Sequence, residues 1–320
     1  MKKLLPAMVA AAAVLFAPAA RAEDFPKRPI TFISVFGPGS ASDTICRVLA
    51  DPLSTAVKQP VIVENRQGAN GAIAGVHVAR SAPDGHTMML ATNSPLSAAP
   101  FMTKNVGYDA VNDFTPITRV GSFTLIVVVN PSLPIKSIKE LVDYAKANPG
   151  KLSFASGNTA GIVGGETLKH WAGIDLLHVP YKSTPPALQD VMAGRVSMMF
   201  VDLTASLPHV QSGALRPLAV TRLKRSVLYP ELPTMDEAGI TGFELDAWAG
   251  VVAAARTPPA IVARLNSEFG KVIENPEVKK RLVNVGFEAF ASSPDEFGDF
   301  IKVQFGKWGK MVKDAGIQPE

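Results

Sequence analysis

Two rhythms of apolar positions alternate along the chain: short β-branched runs, and stripes that recur every three or four residues. Residues 29–36 (P-I-T-F-I-S-V-F) form such a run, Gly37-Pro38-Gly39-Ser40 breaks it, and residues 42–55 take helical spacing. The pattern predicts strand, glycine loop, helix. A second strand is expected at 61–63, a helix of small residues at 71–82, and a third strand at 87–91 after the turn Pro83-Asp84-Gly85. Strands alternating with helices predict a parallel sheet with right-handed crossovers. Residues 125–129 are wholly apolar and stop at Asn130-Pro131, which marks a crossing into a second lobe.

That second lobe repeats the device. Ser137-Ile138-Lys139-Glu140 reads as a capping box opening a helix that Pro149-Gly150 ends. A strand at 151–155, a polar glycine loop at 156–165, a helix at 166–171 and a strand at 176–180 follow. A short helix is expected at 185–193, a buried strand at 196–201 ending on Asp202, and another strand at 215–221. The extended stretch 243–255 serves as the return crossing. The remainder is helical, at 258–273 and 277–283, with a short strand at 287–290. Ser293-Pro294-Asp295-Glu296 starts the last helix, whose stripe of Phe297, Phe300, Ile301, Phe305, Trp308 and Val312 is expected to cover the first lobe. The fold class is therefore α/β with two lobes, 23–124 plus 244–320 and 125–243, built on two mostly parallel sheets with flanking helices. Two connections between lobes make a two-strand hinge, and a hinge makes a cleft.

The beginning of the chain is read separately. Met1, Lys2 and Lys3 give a positive start, residues 4–20 are apolar, and Ala20-Arg21-Ala22 places small residues where signal peptidase reads. An export signal cut after Ala22 is expected, since the run is at or below the ~17–25 apolar residues of a membrane span. Glu23 follows the cut, so lipid anchoring is not indicated. Removal of Lys2, Lys3 and Arg21 leaves 29 basic against 28 acidic residues, so the formal charge of +4 falls to +1. That balance argues against an electrostatic nucleic-acid binder. Cys46 is the sole cysteine, so no intramolecular disulfide forms, and a small buried helix residue is its expected role.

Candidate chemistry lies in the loops. A loop from the carboxyl end of a strand into a helix presents free N–H groups at the positive end of the helix dipole, which suits an anion. Gly37-Pro38-Gly39-Ser40-Ala41-Ser42 is one such loop and Ser156-Gly157-Asn158-Thr159-Ala160-Gly161 the other. Glycines permit close approach, and Ser40, Ser42, Ser156, Asn158 and Thr159 add polar partners. Facing each other they would clamp one carboxylate; the plainer reading makes both ordinary turns with helix caps. Asp43 either braces its loop or meets a ligand ammonium or hydroxyl, because its charge is unfavourable beside an anion. Asn93 and Ser94 past the third strand, with Asp202 and Thr221 at the ends of their strands, complete the candidate ligand-binding set. An amine-bearing ligand would look to Asp43 or Asp202. Lys182 either lines the cleft or makes a surface ion pair, and Phe36 and Trp248 form either a ligand wall or core.

Catalytic patterns are sparse. Gly37-x-Gly39 with Glu64 approaches the dinucleotide fingerprint, but Ser42 stands at the third glycine and Pro38 in the turn, and an exported protein meets no nicotinamide pool. The five histidines show no metal-ligand spacing and no G-x-S-x-G elbow occurs. No catalytic residue, metal or cofactor is expected; an exported hydrolase or oxidoreductase acting on a small carboxylate is the alternative.

Nine short motifs carry a resemblance. They are Pro26-Lys27-Arg28-Pro29-Ile30, Gly37-Pro38-Gly39 with Asp43, Val61-Ile62-Val63-Glu64-Asn65-Arg66, Gly68-Ala69-Asn70-Gly71, Ala82-Pro83-Asp84-Gly85, Val129-Asn130-Pro131-Ser132-Leu133-Pro134, His178-Val179-Pro180-Tyr181-Lys182, Leu218-Ala219-Val220-Thr221 and Glu237-Ala238-Gly239. In this order and spacing the chain resembles the Bug (TctC-type) family, the extracytoplasmic solute receptors of tripartite tricarboxylate transporters. The resemblance implies a periplasmic-binding-protein fold of class II that closes on a small organic anion. It implies a carboxylate pinched between residues 37–41 and 156–161, partly through water, and delivery to membrane permease subunits or a sensor by a monomer in the periplasm. Ser40 departs from the family, which often has a second glycine there, and a family histidine is not evident at 162–165. The ligand class therefore stays open among di- or tricarboxylates, amino acids and aromatic acids.

Overall fold

A computed structural model describes residues 25–320, so the export segment and its cut after Ala22 lie outside the described residues. In the first lobe, β1 (Ile30–Ser34) leads through the Gly37–Ser40 break into α1 (Ala41–Val57), whose first turn Ser40 caps by accepting the Asp43 N–H. The strand β2 (Val61–Asn65) and, after α2 (Ala72–Ala79), the strand β3 (Thr87–Thr92) flank β1 in parallel. This is the alternation the sequence predicts. Beyond β3, residues 94–98 form a π-helical turn that runs into α3 (Ala99–Met102), and the ten-residue β4 (Phe114–Phe123) follows. The apolar pattern predicts neither, because Pro116, Arg119 and Gly121 interrupt β4 and the partner strand shows register shifts opposite them.

Thr124 alone separates β4 from β5 (Leu125–Val129), the fully buried strand that enters the second sheet. The second lobe then runs α4 (Ile138–Ala147), β6 (Ser153–Ser156), α5 (Thr159–Ala172), β7 (Leu177–Pro180), α6 (Thr184–Met192), β8 (Met198–Asp202), α7 (Leu203–Gln211) and β9 (Arg216–Val220). The chain returns as β10 (Ala247–Ala254), which inserts between β3 and β4, and ends with α8 (Pro259–Glu274), α9 (Pro276–Asn284), β11 (Phe287–Ala289) and α10 (Pro294–Asp314). The six-stranded sheet has the order β11-β4-β10-β3-β1-β2 and the five-stranded one β7-β6-β8-β5-β9.

Both sheets are mixed, which corrects the expectation that they are mostly parallel. β10 is antiparallel to β3 and β4, and β5 to β8 and β9. A strand that enters a sheet from the hinge must run away from the cleft, whereas strands that feed a helix point toward it. At the hinge the two crossings are tied together: Thr221 N–H donates to Leu125 O, Leu245 N–H to Thr221 O, and Leu203 N–H to Thr124 O.

The second correction concerns α5. Helix begins at Thr159 and takes in Gly161, Gly164 and Gly165, which the sequence pattern assigns to a loop. A side chain on Gly165 would lie 2.2 Å from the Phe154 ring and one on Gly164 2.8 Å from Phe200. These glycines let the helix sit against its sheet; they do not break it. The pattern also passes over α7, which carries Pro208 inside it. Ser293 and Glu296 form a reciprocal capping box, and Phe297, Ile301, Trp308 and Val312 of α10 are buried, each such burial contributing roughly 1.5–3 kcal/mol. Cys46 is buried in the first core, where burial foremost pushes its thiol pKa well up, so it is an inert packing residue. Among the described residues no helix is long and apolar enough to cross a membrane.

Candidate ligand-binding cleft

Four helices begin around one cavity between the lobes. Ser40, Ala41 and Ser42 bring the start of α1, Asn158 and Ala160 that of α5, Thr184 that of α6, and Asp202 that of α7. Thr92, Asn93 and Ser94 add the end of β3, while Phe36, Phe123, Leu125 and Ala247 close the apolar side near the hinge. The first-turn amides of Ala41, Ser42 and Ala160 have no intrahelical acceptor, and each helix start carries partial positive charge. Among the described residues no lysine, arginine or histidine lines the cavity. Anion attraction at this place therefore comes from backbone dipoles and hydroxyls.

The lobes touch directly here. Ser94 Oγ and Thr159 Oγ1 are 2.8 Å apart, Asn93 Nδ2 donates to Thr159 Oγ1 at 3.4 Å, and Thr159 N–H donates to Ser94 Oγ at 3.3 Å. The cavity has only ≈30 Å³ of free room, enough for about two waters. An organic acid enters only when the lobes part.

Of the residues expected from sequence, Phe36, Ser40, Ala41, Ser42, Asn93, Ser94, Asn158, Ala160 and Asp202 line this cavity, and the rest do not. Gly37 and Gly39 form the shoulder where the first loop meets α6. A side chain on Gly37 would stand 2.4 Å from Gln67 Oε1 and 3.1 Å from Ser183 Oγ, and Gly39 holds a φ of +77°. Pro38, between them, is exposed. Asp43 braces its own loop: its carboxylate accepts Gly39 N–H at 3.0 Å, Asn65 Nδ2 at 2.9 Å and Arg47 Nε at 3.0 Å. Burial pushes its pKa up, but those hydrogen bonds and the Arg47 charge outweigh it and hold the pKa below the ordinary value.

In lobe two, Ser156 Oγ lies 2.6 Å from His178 Nε2, whose ring stacks on Phe154, and both line a separate groove with Lys182. Burial foremost keeps the His178 imidazole below its ordinary range. Gly157 packs against the start of α6, with a hypothetical Cβ 2.4 Å from Thr184 N, and Gly161 backs onto Ser156. Thr221 donates to Leu245 O at 2.6 Å and is a hinge strut. Phe36 lines the cavity, whereas Trp248 packs in the core against Phe297 and Phe300. Thr92 and Thr184 are the polar lining residues that sequence reasoning missed; the signal for Thr92 was its place at the end of the third strand beside Asn93, and for Thr184 the Tyr181-Lys182-Ser183 stretch just past a strand. Asp202 accepts Ala205 N–H at 2.8 Å as the cap of α7, and burial pushes its pKa up to about 6.

A two-lobed fold with helix starts converging on a closed cleft defines a solute-binding protein. The chain belongs to the family described as "Tripartite tricarboxylate transporter family receptor", which matches residues 45–317. It is 34% identical over 301 residues to "Protein BugT" of Bordetella pertussis, covering 93% of this chain and 92% of that one. Among solved structures it resembles "R. palustris Rpa4515 with adipate" at 32% identity and TM-score 0.90, covering 93% of this chain and all of that one. It also resembles "MatC (Rpa3494) from Rhodopseudomonas palustris with bound malate" at 27% identity and TM-score 0.84, covering 90% of this chain and all of that one.

Proposed function

We propose that this cavity captures a small organic carboxylate and that the protein hands it, unaltered, to the permease subunits of a tripartite transporter or reports it to a sensor. The observation that carries the reading is the convergence of the α1 and α5 starts, one from each lobe, on a cavity lined by hydroxyls and amides in which, among the described residues, no cationic side chain stands. Adipate and malate in the two similar structures point the same way. We take residues 23–124 and 244–320 as one moving lobe and 125–243 as the other, in line with sheet membership. The protein acts as a periplasmic monomer after cleavage following Ala22, in keeping with the sequence of the first 22 residues. Ligand closes the cleft because Ala41, Ser42 and Ala160 amides from both lobes engage it together only in the closed state.

Thermal unfolding against a panel of small carboxylates tests this. At about a hundredfold excess over its dissociation constant a ligand adds ~2.7 kcal/mol, which raises the midpoint by several degrees. The expected result is such a shift with the compound recovered intact. No shift from any carboxylate, in protein freed of co-purified ligand, overturns the reading. The Ser156–His178 pair is the one observation that favours an exported hydrolase, and chemical change in the recovered compound would select it.

A further inference from the structure

One ionisable side chain lines the cavity. Asp202 ends β8, is 4% exposed and pairs in register with Leu125 at the hinge. Among the described residues its carboxylate accepts hydrogen bonds only from backbone, the Ala205 N–H and its own. Two carboxylate oxygens offer about four acceptor sites, so acceptor capacity remains on a side chain that faces the cleft. Among the described residues no cationic side chain in the cavity lining offsets it. β5 and β6 carry no charged residue; Glu166, Lys169 and His170 of α5 lie outside the cavity lining, as do Asp190 of α6 and His209 of α7. On α1, Asp43 and Arg47 are bonded to each other.

The consequence follows from charge. The starts of α1 and α5 leave first-turn amides to an anion and α6 offers at most the Thr184 N–H, since Pro185 and Pro186 have none, but at α7 the negative charge is already supplied by the protein. A ligand whose carboxylate takes the Ala41, Ser42 and Ala160 amides shares the cavity with Asp202. A second full negative charge beside that residue is repelled in a site of low dielectric, whereas a hydroxyl or ammonium finds an unsaturated acceptor.

We propose that Asp202 is the specificity-determining residue of this cleft: it accepts a hydrogen bond from the end of the ligand remote from the clamped carboxylate. The cleft then selects small carboxylates that carry a hydroxyl or ammonium donor over unsubstituted or doubly ionised ones. This rests on the carboxylate reading of the cavity.

The test is calorimetric titration with 5-aminopentanoate, 5-hydroxypentanoate, pentanoate and glutarate, with the matching four-carbon series alongside. The proteins are the wild type, Asp202→Asn and Asp202→Ser, and adipate and malate serve as reference probes. Asn and Ser both cap helices well, so the start of α7 is kept, and melting curves check that the variants fold. In the wild type the amino and hydroxy acids are expected to bind about tenfold or more tighter than the alkanoate and the dicarboxylate. In both variants the ammonium preference is expected to vanish, and the dicarboxylate to gain about tenfold. An unchanged ranking in the variants overturns the proposal, as does a wild-type preference for glutarate that the variants do not strengthen. If adipate or malate binds and Asp202 alters nothing, only this proposal falls. If no carboxylate binds the wild type at all, the reading of the cavity falls with it.

Discussion

Replacing Thr159 by valine removes one hydroxyl while nearly conserving shape, and that hydroxyl ties the lobes. It lies 2.8 Å from Ser94 Oγ and accepts a longer 3.4 Å bond from Asn93. A buried neutral hydrogen bond contributes a net ~0.5–1.5 kcal/mol, and a contact as long as the second adds little. Ser94 Oγ keeps the Thr159 N–H at 3.3 Å, so it is not orphaned. Closure is therefore expected to weaken by about 1 kcal/mol, a shift of about fivefold toward the open form. Affinity for the best carboxylate falls by at most that factor, since binding draws on the closed state. Calorimetric titration reads the affinity, and small-angle scattering of the ligand-free protein reads the population. Thr159 is fully buried and does not line the cavity, so a latch predicts that both measurements move. An affinity loss with an unchanged radius of gyration would mean a direct ligand contact; no change in either refutes the latch.

Three more perturbations probe the site. Burial raises the Asp202 pKa from 3.8 to about 6, so the folded protein holds that proton more tightly than the unfolded chain between those values. Relative to Asp202→Asn, the stability of the wild type is expected to fall by up to about 3 kcal/mol as pH rises from about 4 to 6 and then to level off; a flat difference across that window refutes it. Gly157→Ala places a methyl 2.4 Å from Thr184 N and 2.5 Å from Ser183 C, both backbone, so a loss of about 1–3 kcal/mol and a midpoint lower by a few degrees are expected; an unchanged midpoint would show that the α6 start yields freely. Gly39→Val forces a β-branched residue to a φ of +77°, at a strain of order 1–3 kcal/mol in the loop that precedes α1. Its circular dichroism is expected to match the wild type while carboxylate binding disappears, and retained micromolar binding would remove this loop from the site.

Much of the fold is legible from local pattern because local causes produce it. The β-branched run that becomes β1, the Ser40 cap of α1 and the Ser293 box of α10 each depend on residues within one turn of one another. The wholly apolar run at β5 declares a strand buried on both faces. Where tertiary contacts set the rule, the pattern misleads. Gly161, Gly164 and Gly165 look like loop until Phe154 and Phe200 are seen against them, and β4 is hidden by Pro116 and Gly121, whose effect depends on the partner strand.

The site divides along the same line. Sequence by itself determined that two strand-to-helix loops recur, that each begins a capped helix, and that the chain crosses twice between lobes, since spacing, caps and breakers are properties of neighbours in the chain. Only the tertiary structure decided what each polar group does. Asp43 and Asp202 stand in similar sequence settings, one after a glycine loop and one after a strand. Arg47, Asn65 and the Gly39 amide surround the first and hold it as a brace, whereas the second reaches the cavity with backbone partners alone. A carboxylate's role is set by which donors the fold brings within about 3 Å of it: each aspartate has donors within four residues along the chain, but Asp43 alone also gains Asn65 from the neighbouring strand, 22 residues away.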